Sequence, residues 1–160
     1  MEQNKDFNTI YDKYGEMLYR IAFVYLGNTY DTEDVLQDVF VAFLYNTSGH
    51  KSDEHEKAWL IRTTQNKCIN LLKSTPRKNV DIDDIQLSID ENSKDLHIDI
   101  INRILALPPK YKTAVILHYY NDYSVSEIAK TLKISKSAVK MRLKRSRELL
   151  KIQLEDYKNE

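Results

Sequence analysis

The chain has 160 residues, 42% of them hydrophobic, and its 24 Lys plus Arg balance 24 Asp plus Glu, so any electrostatic role must come from segregation of charge along the sequence. That length allows one large domain or two small ones with real cores, and the scarcity of turn formers, three Gly and three Pro, argues for an almost all-helical fold. The lone Cys68 excludes an internal disulfide, and no apolar run approaches the roughly 18 residues that cross a bilayer, which argues against membrane insertion.

The polar start MEQNKDFNT has neither the basic nor the apolar part of a signal peptide, so a cytoplasmic protein is expected. Phe7, Ile10, Tyr11, Tyr14, Leu18, Ile21, Ala22 and Tyr25 recur at helical spacing and predict a long amphipathic helix from Phe7 to Leu26. Gly27-Asn28 ends it, both residues tolerating positive φ. Asp31 or Thr32 is expected to cap a second helix, with Glu33 and Asp34 in a first turn whose dipole favours negative charge. There Val35, Leu36, Val39, Phe40 and Phe43 form the buried face, and Asp34, Gln37, Asp38 and Val41 the opposite one. First-turn carboxylates are often purely structural. Gln37 and Asp38 lie past that turn, and their face suits docking on a basic protein surface.

Residues 46–57, NTSGHKSDEHEK, read as a loop long for a compact helical domain. A third helix is predicted from Ala58 to Lys73, with Leu60, Thr64, Cys68 and Leu71 or Leu72 inside and Cys68 a small core residue. Trp59, Arg62, Thr63, Asn66, Lys67, Asn70 and Lys73 share the outer face. Residues 58–78 hold five bases and no acid, and an aromatic ring among such groups suits stacking and phosphate tracking on single-stranded nucleic acid. Trp59 as a plain core residue is the competing reading. Pro76 breaks the helix, residues 80–99 carry seven acids against Lys94, and the stretch from Val80 to Leu96 reads as a flexible acidic linker. The expected division is a helical domain over 1–75, a linker over 76–97 and a second helical domain over 98–160.

In the second domain Ile100, Ile101, Ile104, Leu105 and Leu107 predict a short helix stopped by Pro108-Pro109. The next helix, Lys110 to Tyr120, buries Ala114, Val115, Leu117 and His118 or Tyr119. After a turn at Asn121-Asp122-Tyr123, the stretch YSVSEIAKTLKISKSAVKMRLKRSRELL reads as two helices around a tight turn. Ile128, Ala129 and Leu132 face Val139, Leu143 and Leu150. Ser135 caps the second helix, which is expected over residues 136–148. Lys133 stands where such turns often use Gly for a left-handed backbone, at a cost on the order of 1 kcal/mol. From Lys133 to Lys151 eight bases face one acid, Glu148, so phosphates are the natural counter-charge. A helix-turn-helix of this kind places its second helix in the major groove.

No enzyme chemistry is expected. The sequence has no phosphate-cradling Gly loop, no nucleophile elbow and no Cys/His pair at useful spacing, and His50, His55, His97 and His118 are scattered without metal-ligand spacing, so neither a metal nor another cofactor is implied. One alternative is an ordinary helix-turn-helix regulator whose residues 1–75 dimerise or bind a ligand. The basic, aromatic third helix argues against it, since a dimerisation module does not require one.

In order and spacing, the chain resembles the two-domain extracytoplasmic-function sigma factors of the sigma-70 family over nearly its whole length. Tyr14 to Arg20 followed by DTEDVLQDVF looks like regions 2.1 to 2.2, and Trp59-Leu60 with Asn66 like regions 2.3 to 2.4. Leu107-Pro108, Glu127-Ile128-Ala129, Ser135 and Val139-Lys140 with Arg142 resemble region 4. Asn70 and Lys73 depart from the usual Asp and Arg, and Ser137-Ala138 from the usual Gly-Thr. The resemblance implies core RNA polymerase and promoter DNA as partners, with an anti-sigma factor as a regulator. It implies that Asp34, Gln37, Asp38 and Val41 bind the clamp helices of the β′ subunit. The loop 46–57 and the Trp59-to-Lys73 face would open and hold the promoter −10 element. Lys136, Ser137, Lys140, Met141, Arg142, Lys144 and Arg145 would read the −35 element, with their domain also on the β flap.

Overall fold

A computed structural model describes residues 7–46, 52–74 and 96–158, the side chains of the last stretch over 100–151. These residues form seven α-helices: α1 Phe7–Leu26, α2 Thr29–Leu44, α3 Asp53–Ser74, α4 Leu96–Leu105, α5 Pro109–Tyr119, α6 Val125–Leu132 and α7 Lys136–Lys158. The chain divides into two compact units, Met1–Asn79 and Val80–Glu160. Of the expected linker, residues 76–95 lie outside the described residues, as do residues 47–51 of the expected loop.

In the first unit α1 packs on both α2 and α3, which also touch each other. Ile10, Tyr14, Leu18, Ile21, Ala22 and Tyr25 are buried as their spacing predicts. Phe7 and Tyr11 differ. Their rings pack against Phe40 at 5.4 and 5.6 Å, yet at the open end of the helix they stay 36% and 45% exposed. Gly27 adopts φ 77° and its N–H reaches the Phe23 carbonyl at 2.8 Å, which stops α1.

Asn28 then turns extended and caps α2, a correction to the expected Asp31 or Thr32. Its Oδ1 accepts the Asp31 N–H at 2.8 Å, and its Nδ2 donates to the Asp31 carboxylate at 2.9 Å. Thr32 is already inside the helix, buried, with its hydroxyl donating to the Asn28 carbonyl at 2.7 Å. A left-handed Gly followed at once by an extended Asn leaves no room for a later cap.

The third helix starts at Asp53, five residues before the expected Ala58. Ser52 supplies the cap, its Oγ accepting the His55 N–H at 3.2 Å and its carbonyl the Glu56 N–H at 3.1 Å. Asp53, Glu54 and Glu56 occupy the first turn, where the dipole favours them. Glu56 is only 3% exposed and accepts a hydrogen bond from the buried Tyr14 hydroxyl at 2.9 Å. Lys13 and Asp53 add a contact at 3.5 Å that is too exposed to contribute much. Leu60, Ile61, Thr64 and Cys68 complete the core.

The second unit is organised on α5, which packs on α4, α6 and α7. Seven consecutive residues of it, Tyr111 to Leu117, are buried, as befits a helix surrounded by others. Tyr119 is exposed and His118 only partly buried; His118 Nδ1 lies 2.9 Å from the Tyr123 carbonyl, across the turn. Pro109 begins α5 at its first turn, where a missing N–H costs nothing. Lys112 is 5% exposed because its ammonium donates to the Leu105 carbonyl at 3.0 Å, satisfying the end of α4.

Ser124 and Glu127 form a reciprocal capping box at the start of α6, each bond 3.1 Å long. Lys133 takes the left-handed geometry expected at that turn, φ 58° and ψ 45°. The Ser135 Oγ accepts the Ala138 N–H at 3.0 Å and caps α7. That helix continues well past Glu148, to Lys158. Ile128, Ala129, Leu132, Val139 and Leu143 are buried as expected, but Leu150 only partly. The fully buried Ser146 continues the stripe instead, its hydroxyl donating to the Arg142 carbonyl at 2.6 Å.

Candidate nucleic-acid interface

On α7 the buried residues Val139, Leu143 and Ser146 define one side. At about 100° per residue, Ser137, Met141 and Lys144 lie roughly opposite, with Lys140 and Arg145 on the two flanks. Lys136, Ser137, Lys140, Met141, Lys144 and Arg145 are exposed and Arg142 is partly buried. Five of the seven expected −35 residues, Ser137, Lys140, Met141, Lys144 and Arg145, thus lie on the part of α7 that turns away from the core, while Lys136 and the partly buried Arg142 fall beside the core stripe. The ammonium and guanidinium groups offer only donors, and they can meet phosphate oxygens or the acceptor edges of bases.

On α3 the helical period places Trp59, Arg62, Thr63, Asn66, Lys67, Asn70 and Lys73 within a sector of roughly 140°, opposite Ile61, Thr64 and Cys68, with the buried Glu56 and Leu60 near the edge that Lys67 occupies. Asn66, Asn70 and Lys73 are exposed; Trp59, Arg62, Thr63 and Lys67 are partly buried. The Trp59 ring lies 5.8 Å from that of Phe43 at 59°, so it is neither wholly core nor wholly surface. Phe43 of α2 packs against it, and the residue as a whole stays partly exposed.

Asp34, Gln37, Asp38 and Val41 are all exposed on α2, away from Val35, Leu36, Val39, Phe40 and Phe43. Sequence spacing did not reveal what lies beside them. A hollow of about 450 Å³ lined by Phe7, Tyr11, Tyr30, Glu33, Asp34, Leu36, Gln37 and Phe40 joins the acidic face to an aromatic one. Tyr30 is 79% exposed; its place just before the acids was the available signal. Among the described residues no group of three or more His, Cys, Asp or Glu is placed to hold a metal ion, and no helix is long and apolar enough to cross a membrane.

Comparison with known proteins matches both units. The family described as Sigma-70 region 2 matches residues 10–78, and that described as Sigma-70, region 4 matches residues 97–150. The chain is similar to the ECF RNA polymerase sigma factor SigW of Bacillus subtilis (strain 168), 28% identical over 94% of this chain and 89% of the relative. It is 30% identical to the RNA polymerase sigma factor SigV of the same organism, over 85% of this chain and 83% of the relative. A third relative there, the ECF RNA polymerase sigma factor SigX, is 27% identical over 96% of this chain and 86% of its own length.

Proposed function

The chain belongs to the extracytoplasmic-function group of the sigma-70 family and is an RNA polymerase sigma factor that directs promoter-specific initiation; from that premise we propose which of its surfaces performs each part of the task. The exposed α2 face, Asp34, Gln37, Asp38 and Val41, docks on the basic clamp helices of the β′ subunit. The outer face of α3 holds the non-template strand of the −10 element: Trp59 offers a stacking surface, Arg62, Lys67 and Lys73 follow the phosphates, and Thr63, Asn66 and Asn70 hydrogen-bond to what lies between. The second unit seats α7 in the major groove of the −35 duplex, through Lys136, Ser137, Lys140, Met141, Arg142, Lys144 and Arg145, and also touches the β flap. The protein acts in the cytoplasm without catalytic groups of its own. An anti-sigma factor would hold it inactive by covering these faces.

The observation that carries this reading is the repeated arrangement in the two units, where α3 and α7 each set a basic face opposite a closed core. An operator-binding regulator needs only the second of these. The test is transcription by purified core polymerase with and without the full chain. Promoter-dependent transcripts are expected only with it, and a chain carrying Asp34→Lys and Asp38→Lys is expected to lose co-purification with the core. If the unaltered chain neither co-purifies with the core nor yields such transcripts, the reading is wrong.

A further inference from the structure

Met141 is out of character with its surroundings. It is 57% exposed, more than Tyr119 at 48% or Leu149 at 39%, the other large hydrophobic residues exposed among the described part of the second unit. Counting about 100° per residue from Val139 puts it roughly 200° round the helix, at the middle of the face turned away from the core. Its neighbours one turn away are Ser137, Ala138, Lys144 and Arg145, and Lys140 precedes it. No second large apolar side chain stands at those positions, so Met141 is not part of a continuous hydrophobic patch of the kind that docks proteins. It is an isolated apolar group among cations.

In a major groove walled by phosphates, the cations have their partners on both strands. The one apolar group that base edges present there is the C5-methyl of thymine. A flexible thioether side chain is well suited to cover it. Resting on the assignment of α7 to the −35 duplex, we infer that Met141 reads a thymine through its C5-methyl group and so fixes one base pair of the −35 element.

The test uses holoenzyme assembled from core polymerase and the full chain, with the natural residue, Met141→Leu or Met141→Ala, and promoters enriched from a pool with random −35 sequence. The natural and Leu forms are expected to fix a T·A pair at one shared position, and the Ala form to relax that position. Thymines of the enriched −35 element are then replaced singly by deoxyuridine, which removes only the methyl group. One replacement should weaken binding of the natural form about fourfold, the factor that follows from burying one such group. The Ala form should bind both versions equally. Indifference of the natural form to every deoxyuridine, or an equal loss in the Ala form, overturns the inference. If the holoenzyme still initiates at promoters in that case, only the thymine contact has failed; absence of promoter-dependent transcripts would refute the underlying reading as well.

Discussion

Tyr14→Phe removes one hydroxyl and leaves the packed volume almost unchanged, so it isolates the bond that ties the first turn of α3 to α1. Both partners are buried, Tyr14 at 4% and Glu56 at 3% exposure, and the bond is 2.9 Å long. A hydrogen bond to a carboxylate is worth about 1.5–3 kcal/mol, and because Glu56 keeps further interactions the low end, about 1.5 kcal/mol, is expected. Trp59 is the sole tryptophan and sits in α3, so its fluorescence follows unfolding of the first unit without the signal of the second. With a urea slope of about 1 kcal/mol per M for a unit of this size, the midpoint should fall by about 1.5 M at constant slope. A midpoint within about 0.3 M of the natural protein, slope unchanged, would show that the bond does not hold the helix start in place.

Lys133→Gly relieves the left-handed strain at φ 58° without touching the core. After the greater freedom of Gly in the unfolded chain offsets part of the gain, the second unit should be stabilised by about 0.5 kcal/mol, seen as a later thermal transition by circular dichroism; an earlier transition contradicts the strain argument. Lys144→Ala should weaken promoter binding by the holoenzyme about equally across −35 sequences and lower the salt slope by about 1, whereas an unchanged slope would exclude a phosphate contact.

Legibility in the sequence followed the range of the interactions. The outer faces of α2 and α3 depend on helical period, and the residues placed there by it are exposed or partly exposed, whereas on α7 the period sets Ser137, Met141 and Lys144 opposite the core and Lys136 and Arg142 beside it. Helix starts depend on which of several polar residues finds a backbone N–H. Asn28 preceded Asp31 and Thr32 as the cap because Gly27 had already reversed the chain. Ser52 turned half of an apparent loop into helix. The Ser124-to-Glu127 spacing was a readable capping signal. Glu56 and Lys112 were not readable in the same way. A charged residue is expected outside, and the partners that help to satisfy these two when buried, among them the Tyr14 hydroxyl and the Leu105 carbonyl, lie too far along the chain to be read from local pattern.

The two proposed DNA faces also differ in how firmly they are held, and the difference suits their tasks. On α7 six of the seven residues are exposed, four of them Lys or Arg, so the helix presents long, exposed cations that can adjust to a duplex whose phosphates lie at regular spacing. On α3 four of the seven are partly buried, and Trp59 is braced against Phe43. A single strand brings no fixed geometry of its own, so the protein must supply it, and side chains already restrained lose less entropy when bases stack on them. The Tyr14–Glu56 bond lies about one turn before Trp59 and the Ser52 cap about two, and together they fix where that platform begins. Loosening them should therefore impair −10 engagement more than −35 binding, which depends on the separate Ser124 and Ser135 caps.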